Sequence, residues 1–275
     1  MTNTKNMIGK EVFENPKFTD RVKSMLKLDF YRLFHTPLFY IMLAIAAIIP
    51  AMVLALTVAD MSAPQVNSAH VANTPQMQMP EFDNAWQMVE SLGGSAIADN
   101  PLDFAGFMNI NMLFIFAGLL MAIFIAHDYS SGFVKNIFTV HSQKVDYVIS
   151  KTAIGIFGGA GMIITYIFGT VIAGLLTGKA FDVEVGGLIF CLISKMLLMG
   201  VFCSLFVGVA VFFKNKLWLT IVFTFLFGMM LYPAASFATL GSTAITMLIA
   251  LVIGAAGAVA IGAVSNLFLK KRDLA

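Results

Sequence analysis

The sequence predicts an all-α integral membrane protein with six transmembrane helices, both termini cytoplasmic, and an amphipathic helix at the inner interface before the first span. Three observations lead there. Of 275 residues, 59% are hydrophobic and 12% charged, with a mean hydropathy of +0.87, whereas a soluble domain carries roughly 25% charged residues. Six apolar runs reach or approach the length of about 20 residues that crosses a hydrocarbon core. Fifteen of the seventeen basic residues fall on one alternate set of segments flanking those runs. This composition excludes a soluble enzyme, a disordered chain and a nucleic-acid binder.

Residues 1–37 form a basic tail containing Lys5, Lys10, Lys17, Arg21, Lys23, Lys27 and Arg32. Within it, Val22, Met25, Leu26, Phe30, Leu33 and Phe34 recur at three- and four-residue spacing over 20–35. Arg21, Lys23 and Lys27 lie off that stripe, the pattern of a helix that buries one face at the headgroup boundary. Two residues break the pattern: Asp29 falls on the apolar side and Leu28 on the polar side. A partly ordered tail is the alternative. Pro37 marks the break before the first span, 38–59. That span is too long for a signal-peptide core and is expected to remain as an uncleaved anchor. Pro50 is expected to kink it, and Ala47, Ala51, Ala55 and Ala59 form a row of small residues.

The outer segment 60–105 reads as an extended loop over 61–80, with Pro64, Pro75 and Pro80. A short amphipathic helix over 82–92 follows from Phe82, Trp86 and Val89, closed by Gly93, Gly94 and Pro101. Met77 and Met79 raise a Cu(I) site, since thioethers suit that ion. The chain has 18 methionines and no His or Cys beside this pair, so no metal is assigned. The second span covers 106–126 and the third, 147–176, is long enough to tilt or project into water. The fourth, 187–213, holds both cysteines, Cys191 and Cys203. On one helix they lie about 18 Å apart, too far for a disulfide, which needs Cα atoms within about 7 Å.

The fifth span, 217–231, is short and precedes Pro233. The uncharged stretch 232–243 is expected to form a short re-entrant or interfacial helix near 233–240; a tight hairpin is the alternative. The sixth span, 244–269, carries the row Ala250, Gly254, Ala258, Gly262 and Asn266, which suits close helix approach in lipid. A short tail, 270–275, ends the chain.

Placing the N-terminus in the cytoplasm puts fifteen of the seventeen Lys/Arg inside, including Lys135, Lys144 and Lys151, and leaves eight acids on the outer segments. That is the orientation rule for membrane insertion. The spans hold no acid, and Lys195 is the one cation counted within them. Proton- or sodium-coupled carriers place ionisable groups in the bundle, so their absence argues against secondary transport. No phosphate-binding loop occurs, and no cluster supports an intramembrane protease; the chain is not read as an enzyme. Lys195 has two readings. It snorkels toward the outer leaflet, or it contacts a polar or anionic substrate in a central pathway.

Between the second and third spans, in segment 127–146, comes His127-Asp-Tyr-Ser-Ser-Gly-Phe-Val-Lys-Asn136. With Asp128, Gly132 and Lys135 it resembles the acidic-x-x-x-Gly-x-x-Lys/Arg pattern of ABC-2-type permeases, the membrane subunits of ATP-binding-cassette exporters. Tyr129, Ser131 and Asn136 are also familiar from small bacterial members, and Asp128 stands where others often have Glu. The basic interfacial helix, six spans, large first outer loop and short hairpin before the last span extend the likeness, closest to permeases of peptide-antibiotic export and immunity.

The resemblance implies an ATPase-coupling element at Asp128, Tyr129, Gly132, Lys135 and Asn136. It also implies a separate ATP-binding subunit that carries ATP and Mg, a second permease chain, and a bacterial inner membrane. No cofactor is expected in this chain. The cargo is expected to be an amphipathic peptide, antibiotic or lipid. From the residues themselves, Ser130 and Ser131 can cap a short helix over 132–138, Gly132 permits close backbone approach, and Lys135 can face an acidic partner. The alternative function is a non-transporting membrane protein: a sensor, anchor or assembly factor.

Overall fold

The computed structural model describes residues 17–62, 84–89, 109–140, 143–214 and 216–271, and these are helices and turns with one isolated bridge. The eight α-helices are α1 (Phe18–Phe34), α2 (Pro37–Ser62), α3 (Met112–Ser130), α4 (Phe133–Val140), α5 (Lys144–Thr177), α6 (Val185–Phe213), α7 (Leu217–Ala235) and α8 (Ala244–Lys271), with a 3-10 turn at Ala85–Val89. Five of them, α2, α3, α5, α6 and α8, are long and apolar enough to cross a membrane, and α7 holds a shorter apolar stretch, Leu217–Leu231. This is the build of an all-α, multi-pass membrane protein.

α1 forms where the three- and four-residue spacing placed it. Met25, Asp29 and Leu33, each four apart, are its buried residues, and residues at that spacing share one helix face. The face lies against the start of α5, where Phe30 meets Phe157 edge-on at 4.9 Å between ring centroids. The chain turns at His35, Thr36 Oγ1 donates to the Arg32 carbonyl at 2.7 Å, and Pro37 opens α2. A proline is tolerated there because the first helical N–H has no intrahelical partner.

α3 is the central helix. Of its apolar window 67% is buried, against 11% for α8, so α8 sits at the periphery. The most extensive pairings are α8 on α6 and α2 on α5, and small residues bring these helices together. A Cβ on Gly169 of α5 would lie 2.2 Å from the Ala47 carbonyl oxygen of α2, and one on Gly254 of α8 would lie 2.6 Å from the Leu197 carbonyl oxygen of α6. The two rows of small residues therefore have partners at Ala47 and Gly254, as packing in lipid requires.

Several boundaries move. α3 continues past the expected end of the second span to Ser130, so Asp128 sits in its last turn. α5 begins at Lys144 and is 34 residues long, which places Asp146 and Lys151 inside it, both buried. Lys195 is thus not the only charge within these long helices. The expected helix near 233–240 is absent: α7 runs through position 233 to Ala235, and the connection to α8 is made of turns. It lies against the start of α6, where a Cβ on Gly187 would fall 2.1 Å from the Leu240 carbonyl oxygen. Cys191 and Cys203 are buried and form no disulfide, as their spacing required.

At the end of the bundle opposite α1, part of the expected 82–92 helix appears as the 3-10 turn. The Ala85 amide donates to the Ala180 carbonyl at 2.9 Å and Tyr166 Oη donates to the Met88 carbonyl at 3.1 Å. The extended loop beyond Ser62, Met77 and Met79, the start of the second span, and the two chain ends lie outside the described residues.

Candidate functional site

Four charged side chains meet where α1, α3 and α5 converge. Lys151 Nζ lies 2.6 Å from Asp29 Oδ1 and 2.6 Å from Asp128 Oδ2. Arg32 Nη2 donates to Asp128 Oδ1 at 2.5 Å, and its Nη1 lies 3.8 Å from Asp29 Oδ1. Ser150 Oγ donates to Asp29 Oδ2 at 2.6 Å, and Tyr147 Oη donates to Asp128 Oδ2 at 3.0 Å. Asp29, Asp128 and Lys151 are each 0% exposed. Two carboxylates and two cations leave the cluster neutral, which makes burial of Asp29, Asp128 and Lys151 beside a half-buried Arg32 tolerable; an isolated ion there would be far costlier.

Aromatic rings close the cluster. The Arg32 guanidinium lies 3.9 Å from the Phe133 ring centroid, and Lys151 Nζ lies 4.5 Å from that of Phe124. Both distances are within cation–π range. A second contact sits nearer the start of α1, where Arg21 Nε donates to buried Asp146 Oδ2 at 2.8 Å. Helix α1 is therefore fastened to α5 at two places and to the end of α3 at one.

The residues of the sequence pattern divide into two groups. Asp128 is buried in the cluster, and Tyr129 next to it is half-buried. Gly132 adopts φ +73°, in the left-handed region, with nothing within 4 Å of a Cβ. It makes the turn between α3 and α4, where a left-handed backbone suits a glycine. Ser130 and Ser131 depart from expectation: their hydroxyls donate back to the His127 and Asp128 carbonyls of α3 and do not cap the next helix. The following helix is Phe133–Val140. Val134 is buried and Phe138 meets Tyr147 edge-on at 5.7 Å, while Lys135 and Asn136 face outward. The structure thus brings Asp128 into the cluster and leaves Lys135 and Asn136 on an open face.

Lys195 is elsewhere, near the opposite end. It is 0% exposed, with Nζ donating to Asn111 Oδ1 at 2.6 Å and to the Ala235 carbonyl at 3.1 Å. Asn111 precedes α3 and Ala235 ends α7, so the ammonium joins three elements. Its position against the last carbonyl of α7 also suits the negative end of a helix dipole. The snorkelling reading fails, because the side chain is enclosed by protein. The apolar cavities between α5 and α8, around α6 to α8, and between α2 and α5 do not include Lys195 in their walls.

Sequence reading did not assemble Asp29, Arg32, Tyr147, Ser150 and Lys151 into a site. Two signals were present: an acid on the apolar stripe of an amphipathic helix, and a lysine inside an apolar run. Among the described residues no cluster of metal-ligating side chains occurs. Comparison of the chain with protein-family models, curated proteins and solved structures finds no match.

Proposed function

We propose that this chain is the permease subunit of an ATP-driven exporter of the ABC-2 type, with the N-terminus and the α4 connection in the cytoplasm of a bacterial cell. The observation that carries this reading is the ion-paired joint of α1, α3 and α5, next to a short helix that presents Lys135 and Asn136 outward. A transporter without its own ATPase needs a surface where a partner's motion enters and a rigid link to the spans. α4 supplies the surface; the buried cluster supplies the link, since parting its charges means exposing them unpaired. Counting α7 as the sixth span agrees with its length: 19 residues make about 28 Å at 1.5 Å per residue, close to the roughly 30 Å core.

In this mechanism an ATP-binding subunit docks at α4 and the outward face of α1, where Lys23 and Lys27 are exposed. Closure of that subunit on ATP displaces α4 and α1 together, and the cluster passes the movement to α3 and α5. A second permease chain completes the pathway, and the cargo is amphipathic: a peptide, antibiotic or lipid.

Co-expression with a candidate ATP-binding cassette subunit from the same genome, purification through a tag on this chain, and transport into inverted vesicles test the reading. The expected outcome is stoichiometric retention of the ATPase and nucleotide-dependent transport. A chain that is stable alone and retains no ATPase refutes it.

A further inference from the structure

We propose that the groove between α5 and α8 is a binding site for one anionic phospholipid. The groove has a volume of about 490 Å³ and is walled by Val148, Thr152 and Ile156 of α5 and by Ala258, Gly262 and Asn266 of α8. Ligand sites commonly fall between about 300 and 1,000 Å³. The volume arises from the small side chains of α8, which on the α6 side let the backbones touch but on the α5 side leave a gap. An apolar gap of this size beside a helix that faces lipid along most of its length fills with the solvent at hand, an acyl chain. From position 145 to 156 the α5 wall runs about 17 Å at 1.5 Å per residue, near half the hydrocarbon thickness of about 30 Å. One chain of one leaflet fits that length.

A cation at one end of the groove identifies the headgroup. Lys144, next in sequence to the groove residue Val145, donates from Nζ to the Leu269 carbonyl at 2.9 Å, and an ammonium beside the mouth of the groove favours an anionic phosphate. Acyl chain and phosphate therefore have counterparts in sequence along one groove. This site depends on the chain lying in a bilayer and is independent of export.

Native mass spectrometry of the full-length protein, released from detergent after titration with phosphatidylglycerol or phosphatidylcholine of matched chains, tests it. One phosphatidylglycerol per chain is expected to be retained at least about fivefold more strongly than phosphatidylcholine, the effect of one lysine on an anionic headgroup. Ala263→Phe, at an exposed α8 position that lines the groove, is expected to abolish the retained lipid. Lys144→Gln is expected to remove the preference while leaving binding. Equal retention of the two lipids by the wild-type protein overturns the proposal, and that comparison needs no variant to fold. Retention unchanged in Ala263→Phe, or a loss of oligomer mass in place of lipid mass, also overturns it, the latter by making the groove a contact between copies.

Discussion

Replacing Lys151 with methionine tests the ion-paired joint most directly. The ammonium touches both buried carboxylates at 2.6 Å, so its removal leaves Asp29, Asp128 and Arg32 with one uncompensated negative charge. Asp29 then keeps only the Ser150 hydroxyl at 2.6 Å and a guanidinium nitrogen at 3.8 Å. Removing one partner of a buried pair costs about 3–5 kcal/mol. The loss is local to the docking of α1, so the assay must read local opening.

Lys23 and Lys27 lie exposed on α1, and trypsin cuts there only when the helix opens. At about 1.4 kcal/mol per decade, native-state cleavage of the variant should be at least about a hundredfold faster than in the wild-type protein. Adding Asp29→Asn restores neutrality around Arg32 and Asp128. The double variant should lose at least about 1 kcal/mol less than the two single losses added together, the coupling expected of residues in contact. Cleavage of Lys151→Met within about threefold of wild type, under 1 kcal/mol, refutes the claim that these charges hold α1 in place.

Gly169→Ala should destabilise the α2–α5 pairing by about 1–3 kcal/mol through overpacking, because the added Cβ meets the Ala47 carbonyl oxygen at 2.2 Å; unfolding in mixed micelles measures it. Gly132→Ala meets open space but must hold φ +73°, so its loss should be smaller, about 1–2 kcal/mol, with Gly132→Asn milder still. Lys195→Met leaves Asn111 Oδ1 and the Ala235 carbonyl without this donor, at about 1–3 kcal/mol per orphaned group; unchanged stability would return Lys195 to a role in transport. Lys135→Glu, on an exposed position, should leave stability within about 0.5 kcal/mol yet lower ATPase retention in the co-purification.

Hydropathy located the long helices because a bilayer-length apolar run has few other uses in a chain, and the three-and-four spacing of Val22, Met25, Leu26 and Phe30 located α1. The site was less legible because its parts are about a hundred residues apart. Asp29 meets Lys151 122 positions away, and no local periodicity encodes that meeting. What the sequence did hold was a pair of matching exceptions, a carboxylate on an apolar face and an ammonium in an apolar run, each costly alone and tolerable together. Pro233 misled for a different reason. Proline disfavours helix continuation, but α7 passes through it to Ala235, where the carbonyl accepts from Lys195. A side chain from another helix was needed to see why the end lies there.

One consequence of α5 concerns mechanics. Its 34 residues make a rod about 51 Å long, some 20 Å more than the hydrocarbon it crosses. The rod is gripped near its first turns by charged bonds from α1, and farther along by the neutral bond from Tyr166 to the Met88 carbonyl. Rotating such a rod by about 5° around one end swings the other through about 4 Å. Slight motion at the charged grip therefore becomes a displacement the width of a side chain at the far rim, without any change in the helix itself.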